Sequence, residues 1–127
     1  MDKLYLEGTK QTPEINFDAD SGILEIKGRS IPENTFEFFN PVLTWLEQYA
    51  SSPADKTIVK VNLEYFNTSS SKYILEIFKR VKTVFNDGHD VIVEWYYEED
   101  DEEMMETGED YEAVSGLPFE LIAVEED

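Results

Sequence analysis

Four consecutive hydroxyl side chains stand where a predicted strand ends and a predicted helix begins. In the stretch YFNTSSSK, Asn67 is followed by Thr68, by the serines Ser69 to Ser71 and then by Lys72. Side-chain oxygens of Asn, Thr and Ser accept hydrogen bonds from the unpaired N–H groups of a first helical turn. The simplest interpretation of this hydroxyl turn (Thr68 to Ser71) is therefore a helix N-cap.

The charges around the hydroxyl turn also suit an anion. Negative charge in the first turn of a helix stabilises it by about 0.3–1 kcal/mol per group, yet the first acidic residue after the turn is Glu76, and Lys72 comes before it. A phosphoryl group on Thr68 or a neighbouring serine would bring about −1.5 to −2 charges to free N–H groups. Two alternatives stay open: the hydroxyls only cap the helix, or one of them is also a phosphorylation site.

Other residue types that carry chemistry lack the spacing of a catalytic or metal site. A serine activated by Lys72 has no triad partner, because the only histidine, His89, follows Asp87 and Gly88 in a predicted loop. The six acids from Glu98 to Glu103 lack the alternating ligands and the glycine of an EF-hand loop. We expect no enzymatic activity, no metal site and no cofactor.

Composition narrows the class of protein. The chain has 127 residues, with 29 acidic against ten basic side chains, a net charge of −19 and no cysteine. Such a charge opposes binding to nucleic acid or to an anionic membrane, and the absence of cysteine fits a reducing compartment. No signal peptide and no membrane-spanning apolar stretch is apparent. We expect one cytoplasmic domain over residues 1–127, with a disordered acidic tail over about residues 122–127.

Hydrophobic periodicity predicts a mixed α/β fold. Alternating patterns predict strands and 3.6-residue patterns predict helices. The predicted elements are, in order, an edge strand at residues 4–6, a hairpin at 14–28, a helix after Asn34, a strand at 56–66, a helix from the hydroxyl turn to Asn86, a strand at 90–97, a weakly amphipathic helix within 98–115 and a strand at 118–125. Because the central strands have one apolar face, we expect the helices on a single side of the sheet.

Two local details of these elements can be checked. Pro41 interrupts the first helix and predicts either a kink or a fresh helix start capped by Asn40. The strand at 56–66 alternates strictly, which predicts inward side chains at Val59, Val61, Leu63 and Tyr65.

Several stretches resemble the SiaC family of bacterial regulatory phosphoproteins. They are GTKQTPEI from Gly8, GILEIKGRSIPEN from Gly22, FFNPVLTWL from Phe38 and, most specifically, LEYFNTSSSK from Leu63. The family is similar in fold to STAS domains, which implies a two-layer STAS-like sandwich. By resemblance, the family's phosphorylated threonine is Thr68. The residues of the turn add Ser69 and Ser70 as secondary candidates, and we expect Asn67, Ser69, Ser70, Ser71 and Lys72 to surround the phosphate.

The resemblance implies a non-enzymatic partner-switching protein. Its partners would be a serine/threonine protein kinase, a PPM-type phosphatase and an output protein, such as a diguanylate cyclase, that binds the unphosphorylated form. We expect the docking surface to include Lys79, Arg80 and Lys82 on the polar side of the helix, together with Glu33 and Asn34. The alternative is a constitutive acidic module that binds a basic protein through Glu98 to Glu112, with Thr68 only capping a helix.

Overall fold

A computed structural model of the chain describes residues 1–125, and in this range a six-stranded sheet and three long helices carry the fold. The elements are β1 (Leu4–Leu6), β2 (Glu14–Asp18), β3 (Ile23–Ser30), α1 (Thr35–Ser51), β4 (Lys56–Phe66), α2 (Thr68–Asn86), β5 (Asp90–Glu98), α3 (Glu102–Ser115) and β6 (Phe119–Val124). The predicted order of elements is confirmed, including the helix within the acidic segment. None of these helices is both long and apolar enough to cross a bilayer.

The sheet combines antiparallel and parallel pairing. The strands lie in sequence order from β1 to β6. β1 and β2 are antiparallel, as are β2 and β3, whereas the pairs from β3 to β6 are parallel. Each parallel pair is joined through a helix, because a chain needs a crossover to return in the same direction. The starts of all three helices therefore lie at one edge of the sheet, beyond the carboxyl ends of β3, β4 and β5.

The core lies on one face of the sheet. Cross-strand partners share a face, and the register aligns Phe17 with Leu24, Leu24 with Val59 and Val59 with Val93, all four of which are fully buried. The buried side chains of α1 and α2 belong to the same core. This arrangement confirms the mixed α/β fold with the helices on one side.

Helix α1 begins where the sequence predicts but does not restart at the proline. Asn34 is the N-cap, and its side-chain oxygen accepts a hydrogen bond from the Glu37 N–H at 3.0 Å. The helix then continues through Pro41 to Ser51, so the predicted fresh start capped by Asn40 is wrong. The buried side chains that follow, Val42 and Trp45 among them, hold the helix on the sheet, and this packing outweighs the one hydrogen bond that proline removes.

The predicted inward orientation of Tyr65 is wrong, because a β-bulge interrupts β4. The register between β3 and β4 pairs Gly28 with Leu63 but Arg29 with Tyr65, so Glu64 is an extra residue. One extra residue reverses the alternation of side chains beyond it. Tyr65 is consequently 51% exposed instead of facing the core.

The last helix and strand close the sheet next to β5. Gly108 of α3 packs so tightly on Trp95 that a Cβ atom there would lie 2.5 Å from Trp95 Cδ1. β6 extends to Val124, so residues 122–124 of the predicted tail are part of the sheet. Residues 126 and 127 of that prediction lie outside the described residues.

Candidate functional site

The hydroxyl turn lies at the carboxyl edge of the sheet, beside the start of α1. The Asn67 N–H donates to the Ser30 carbonyl at 3.0 Å, which joins the ends of the parallel strands β3 and β4. The hydroxyls of Thr35 and Ser69 are 2.8 Å apart and hydrogen-bonded, which joins the first turns of α1 and α2. Two helix N-termini therefore meet at this point, and both direct partial positive charge to the same surface.

The cap of α2 is Asn67 and not one of the hydroxyls. The Asn67 side-chain oxygen accepts from the Ser70 N–H at 2.9 Å, and its backbone carbonyl accepts from the Ser71 N–H at 3.1 Å. Thr68 is the first residue within the helix. The expectation that Thr68 caps the helix is therefore wrong, because the amide side chain of Asn67 already occupies that role.

The four hydroxyls of the turn have different surroundings. Ser70 is fully buried, donates to the Ser30 carbonyl at 3.1 Å and accepts from the Ser30 hydroxyl at 2.8 Å. Ser69 is bonded to Thr35 and also donates to the Asn67 side chain at 3.2 Å. Ser71 donates to the carbonyl of Thr68 at 2.6 Å.

Thr68 and Ser69 are both exposed, but in the described residues only Thr68 has an unbonded hydroxyl. Within residues 1–125 its Oγ1 makes no hydrogen bond, whereas the three serine hydroxyls of the turn all do. A kinase needs an accessible hydroxyl, which Thr68 provides and Ser70 does not. The tertiary structure thus separates two candidates, Thr68 and Ser70, that lie only two positions apart in the sequence.

The backbone around Thr68 offers unused donors. Asn67 accepts hydrogen bonds from the N–H groups of Ser70 and Ser71. The N–H groups of Thr68 and Ser69 have no acceptor in the described part of the chain. The first turn of α2 contains no acidic residue, and the exposed Lys72 follows Thr68 by four residues without an ion pair to any residue from 1 to 125. Residues four apart face the same side of a helix. Within the described range, the turn therefore offers an anion two free N–H donors and one unpaired ammonium group.

Two of the three cations predicted for docking are paired within the chain. Arg80 binds Glu76 at 2.7 Å and Glu47 of α1 at 3.4 Å, and Lys79 binds Glu76 at 3.1 Å. Hydrogen bonds from Arg80 and Lys79 lower the pKa of the Glu76 carboxyl from its usual value. Because α1 and α2 touch here, Arg80 also joins the two helices.

The cations also lie away from the hydroxyl turn. At about 1.5 Å of rise per residue, Lys79 is about 17 Å and Lys82 about 21 Å along α2 from Thr68. Lys82 donates to the Gly116 carbonyl at 2.9 Å and lies 4.9 Å from the centre of the Phe85 ring. The structure therefore does not bring Lys79, Arg80 and Lys82 to the turn.

Glu33 and Asn34, in contrast, are placed next to the turn by the fold. Both are exposed at the start of α1, and the adjacent Thr35 carries the bond to Ser69. Phe36 follows and is 63% exposed.

The exposed Tyr65 lies three residues before Thr68, and its outward position depends on the bulge in β4. Sequence reasoning missed Thr35, Phe36 and Tyr65 as members of this surface. The predicted N-cap at Asn34 indicated that Thr35 begins a helix, and no signal in the sequence placed it beside a second helix start.

Tyr111 connects the acidic helix α3 to the hydroxyl turn. Its hydroxyl donates to the Ser71 carbonyl at 2.9 Å, and its ring packs on Phe66, Phe78 and Trp95. Burial raises the pKa of Tyr111 to about 12. The acidic segment is thus part of the same end of the molecule as Thr68.

Neither His89 nor the acidic run forms a metal-like cluster. His89 lies between α2 and β5, at the opposite end of α2 from Thr68. Over the described range, residues 1–125, no group of three or more His, Asp or Glu side chains is arranged to hold a metal ion.

Comparison with known proteins gives consistent matches over nearly the whole chain. The family model described as SiaC family regulatory phosphoprotein matches residues 6–124. The chain is 31% identical over 126 residues to an uncharacterised protein of Pseudomonas aeruginosa (strain UCBPP-PA14), which covers 99% of this chain and 100% of the relative.

Solved structures agree with that match. SiaC of Pseudomonas aeruginosa superposes with a TM-score of 0.88 at 30% identity, covering 98% of this chain and 100% of that one. SiaC in the crystal structure of the diguanylate cyclase SiaD with its activator SiaC gives a TM-score of 0.88 at 30% identity, covering 95% and 99% of the two chains. The family match also includes the acidic segment beyond Tyr97, whereas the sequence motifs that carry the resemblance end at Lys72.

Proposed function

Because this chain belongs to the SiaC family of regulatory phosphoproteins, we propose that it is a non-enzymatic switch controlled by reversible phosphorylation of Thr68. The observation that carries the proposal is the state of the Thr68 hydroxyl. It is exposed and unbonded at the start of a helix whose first two N–H groups are unpaired within residues 1–125.

In the proposed switch, the unphosphorylated surface binds an output protein. That surface consists of Thr68 with Glu33 and Asn34 at the start of α1, and the exposed aromatic residues Phe36 and Tyr65 give it apolar area. Aromatic side chains supply much of the binding energy in protein interfaces. The output protein is a diguanylate cyclase by analogy with the complex of SiaC and SiaD.

Phosphorylation would end this binding by local charge. A phosphoryl group adds about −1.5 to −2 charges and three acceptor oxygens, which the free N–H groups of Thr68 and Ser69 and the ammonium group of Lys72 would hold at the turn. A partner that packs against Thr68 would have to desolvate that group. A loss of about 1.4 kcal/mol already weakens binding tenfold.

The proposal includes two further partners and a setting. A serine/threonine protein kinase would add the phosphate and a PPM-type phosphatase would remove it, both in the cytoplasm. The acidic residues Glu98 to Glu112 belong to the same surface in this scheme, because Tyr111 bonds to the first turn of α2. Lys79, Arg80 and Lys82 contribute to folding and contact a partner only at its periphery.

The first test is phosphopeptide mass spectrometry on protein isolated from its native cells, with and without a PPM-type phosphatase. We expect a phosphatase-sensitive phosphate on Thr68 and none on the buried Ser70. Absence of phosphate from the turn under all growth conditions would refute the switch.

A binding measurement separates the switch from the acidic-module alternative. A purified diguanylate cyclase from the same organism should bind the unmodified chain and bind phosphothreonine-68 protein at least about tenfold more weakly. Thr68→Val removes the hydroxyl and should abolish regulation by phosphorylation under the switch, and Thr83→Val, near the other end of the same helix, is its matched control. Equal binding of the modified and unmodified chains, with binding lost only when the α3 acids are neutralised, would favour the acidic module.

A further inference from the structure

A groove lies between the edge strand β1 and the first half of α1, and Glu33 and Asn34 of the proposed output surface form one end of its lining. It has a volume of about 620 Å³, within the range of about 300–1,000 Å³ that is usual for ligand clefts. Its walls are partly apolar and partly acidic. Its apolar side is lined by Tyr5, Leu6, Pro32 and Phe38, and its acidic side is lined by Glu7, Glu33 and Glu37.

The strand beside this groove has an unpaired edge. β1 is the first strand of the sheet and pairs only with β2, and in residues 1–125 no other backbone segment bonds to Leu4–Leu6. An exposed edge offers a row of N–H and C=O groups to another extended chain. An edge strand next to a groove under a helix is a geometry in which proteins bind peptides by adding a strand.

The charge in the groove specifies the chemistry of the occupant. Glu7, Glu33 and Glu37 all line it, and no Lys or Arg among residues 1–125 forms an ion pair with them. Apolar contacts are available from the half-buried Phe38 and the buried Pro32. A segment that carries both apolar and basic side chains would satisfy both features, because the apolar side chains and the carboxylates line the same groove.

A second copy of this chain is a poor occupant on the same grounds. Each copy carries a net charge of −19, and the acidic groove of one copy would approach another strongly acidic molecule. Like charges across an interface oppose association. The occupant is therefore a different protein.

We propose that this groove binds an extended, basic segment of a partner protein, which adds a strand to β1 and places apolar side chains between β1 and α1. The inference does not depend on phosphorylation of Thr68. The groove extends from the start of α1 towards β1, and Glu33 and Asn34 are common to the groove and to the proposed output surface.

The test uses the full chain, labelled for NMR, and a synthetic peptide of alternating arginine and valine with blocked ends. We expect peptide-dependent shifts in the amides of Leu4–Leu6 and of the first two turns of α1. A peptide in which glutamate replaces arginine should give no shifts. A peptide with N-methylated valines, which cannot donate to the strand, should bind about tenfold more weakly because it loses the ladder hydrogen bonds.

A matched pair of variants separates the groove from the overall charge. Glu33→Gln with Glu37→Gln should weaken peptide binding about fivefold, as expected for two partly exposed ion pairs. Asp55→Asn with Glu120→Gln removes the same charge from exposed positions outside both surfaces and should change binding less than about twofold. Circular dichroism of each variant establishes that it is folded.

Three outcomes would overturn the proposal. They are the absence of shifts at β1 and α1, an equal loss of binding in both pairs of variants, and groove shifts that depend on the concentration of the protein alone. The second outcome would mean non-specific attraction, and the third would mean that a second copy occupies the groove.

Discussion

A phosphoryl group on Thr68 should make the folded protein more stable. Thr68 is the first residue of α2, and the first turn of that helix contains no acid. A doubly negative group there gains from the helix dipole, about 0.3–1 kcal/mol, and from Lys72 four residues later, about 0.2–0.5 kcal/mol. Bonds to the free N–H groups of Thr68 and Ser69 add about 0.5–1.5 kcal/mol each when formed.

The expected sum is smaller than these terms added together, because the phosphate loses hydration and side-chain freedom when it is held. We expect about 1–2 kcal/mol in the free energy of unfolding. For a chain of 127 residues the entropy of unfolding converts 1 kcal/mol into about 4 °C, so Tm should rise by about 4–8 °C.

The assay compares thermal and urea unfolding of the unmodified chain with protein that carries phosphothreonine at position 68. The second pKa of an exposed phosphate is about 6, and the folded state lowers it because the helix start favours the dianion. The gain in the free energy of unfolding should therefore be complete above about pH 6 and should decrease below it. Lys72→Gln should reduce the gain. Thr68→Glu should be more stable than Thr68→Gln, since these variants differ in charge and hardly in shape.

A fall in Tm on phosphorylation would refute this reasoning, as would a gain that ignores both pH and Lys72. Either result would mean that the phosphate turns away from the helix start and accepts no hydrogen bonds from its N–H groups. Binding of the partner would then be blocked by bulk alone.

Three further predictions concern the packing that holds the site in place. Gly108→Ala should destabilise the protein by about 1–2 kcal/mol in urea unfolding, although alanine favours helices, because the added Cβ meets the buried ring of Trp95 at 2.5 Å; a stabilised variant would contradict the packing. Ser70→Ala should lower the free energy of unfolding by about 1–3 kcal/mol, because it leaves the buried Ser30 hydroxyl unpaired. The same change should cost less when Ser30 is also alanine, and additive losses in the two variants would contradict this pairing. Burial raises the pKa of Tyr111 to about 12. The stability that comes from its neutral form is therefore complete below about pH 10 and is lost as pH rises towards 12. If Tyr111→Phe loses as much stability over this pH range, ionisation of Tyr111 is not the cause.

Local signals in the sequence determined most of the secondary structure. The cap of α1 at Asn34 and the alternation of Val59, Val61 and Leu63 depend on residues within a few positions of each other. Such signals can be read without the fold, because the hydrogen bonds and faces involved repeat at fixed short intervals. The residues that begin α2 are also neighbours in the sequence, so the hydroxyl turn could be predicted as a helix start.

Tertiary contacts decided which hydroxyl of the turn is available. Ser70 is buried because Ser30, 40 residues earlier, lies at the end of the neighbouring strand. Ser69 is occupied because α1 begins beside α2 and brings Thr35 to it. Thr68 stays exposed and unbonded since neither contact reaches it.

The sequence by itself determined the strong negative charge, the order of the elements and a helix start rich in hydroxyls. The tertiary structure alone decided that Tyr65 turns outward, because its direction depends on a register shift against another strand. It also decided that Arg80 binds Glu47 of α1, a pairing between residues 33 positions apart. Contacts of this kind depend on strand register and on the packing of one helix against another, and hydrophobic periodicity predicts neither.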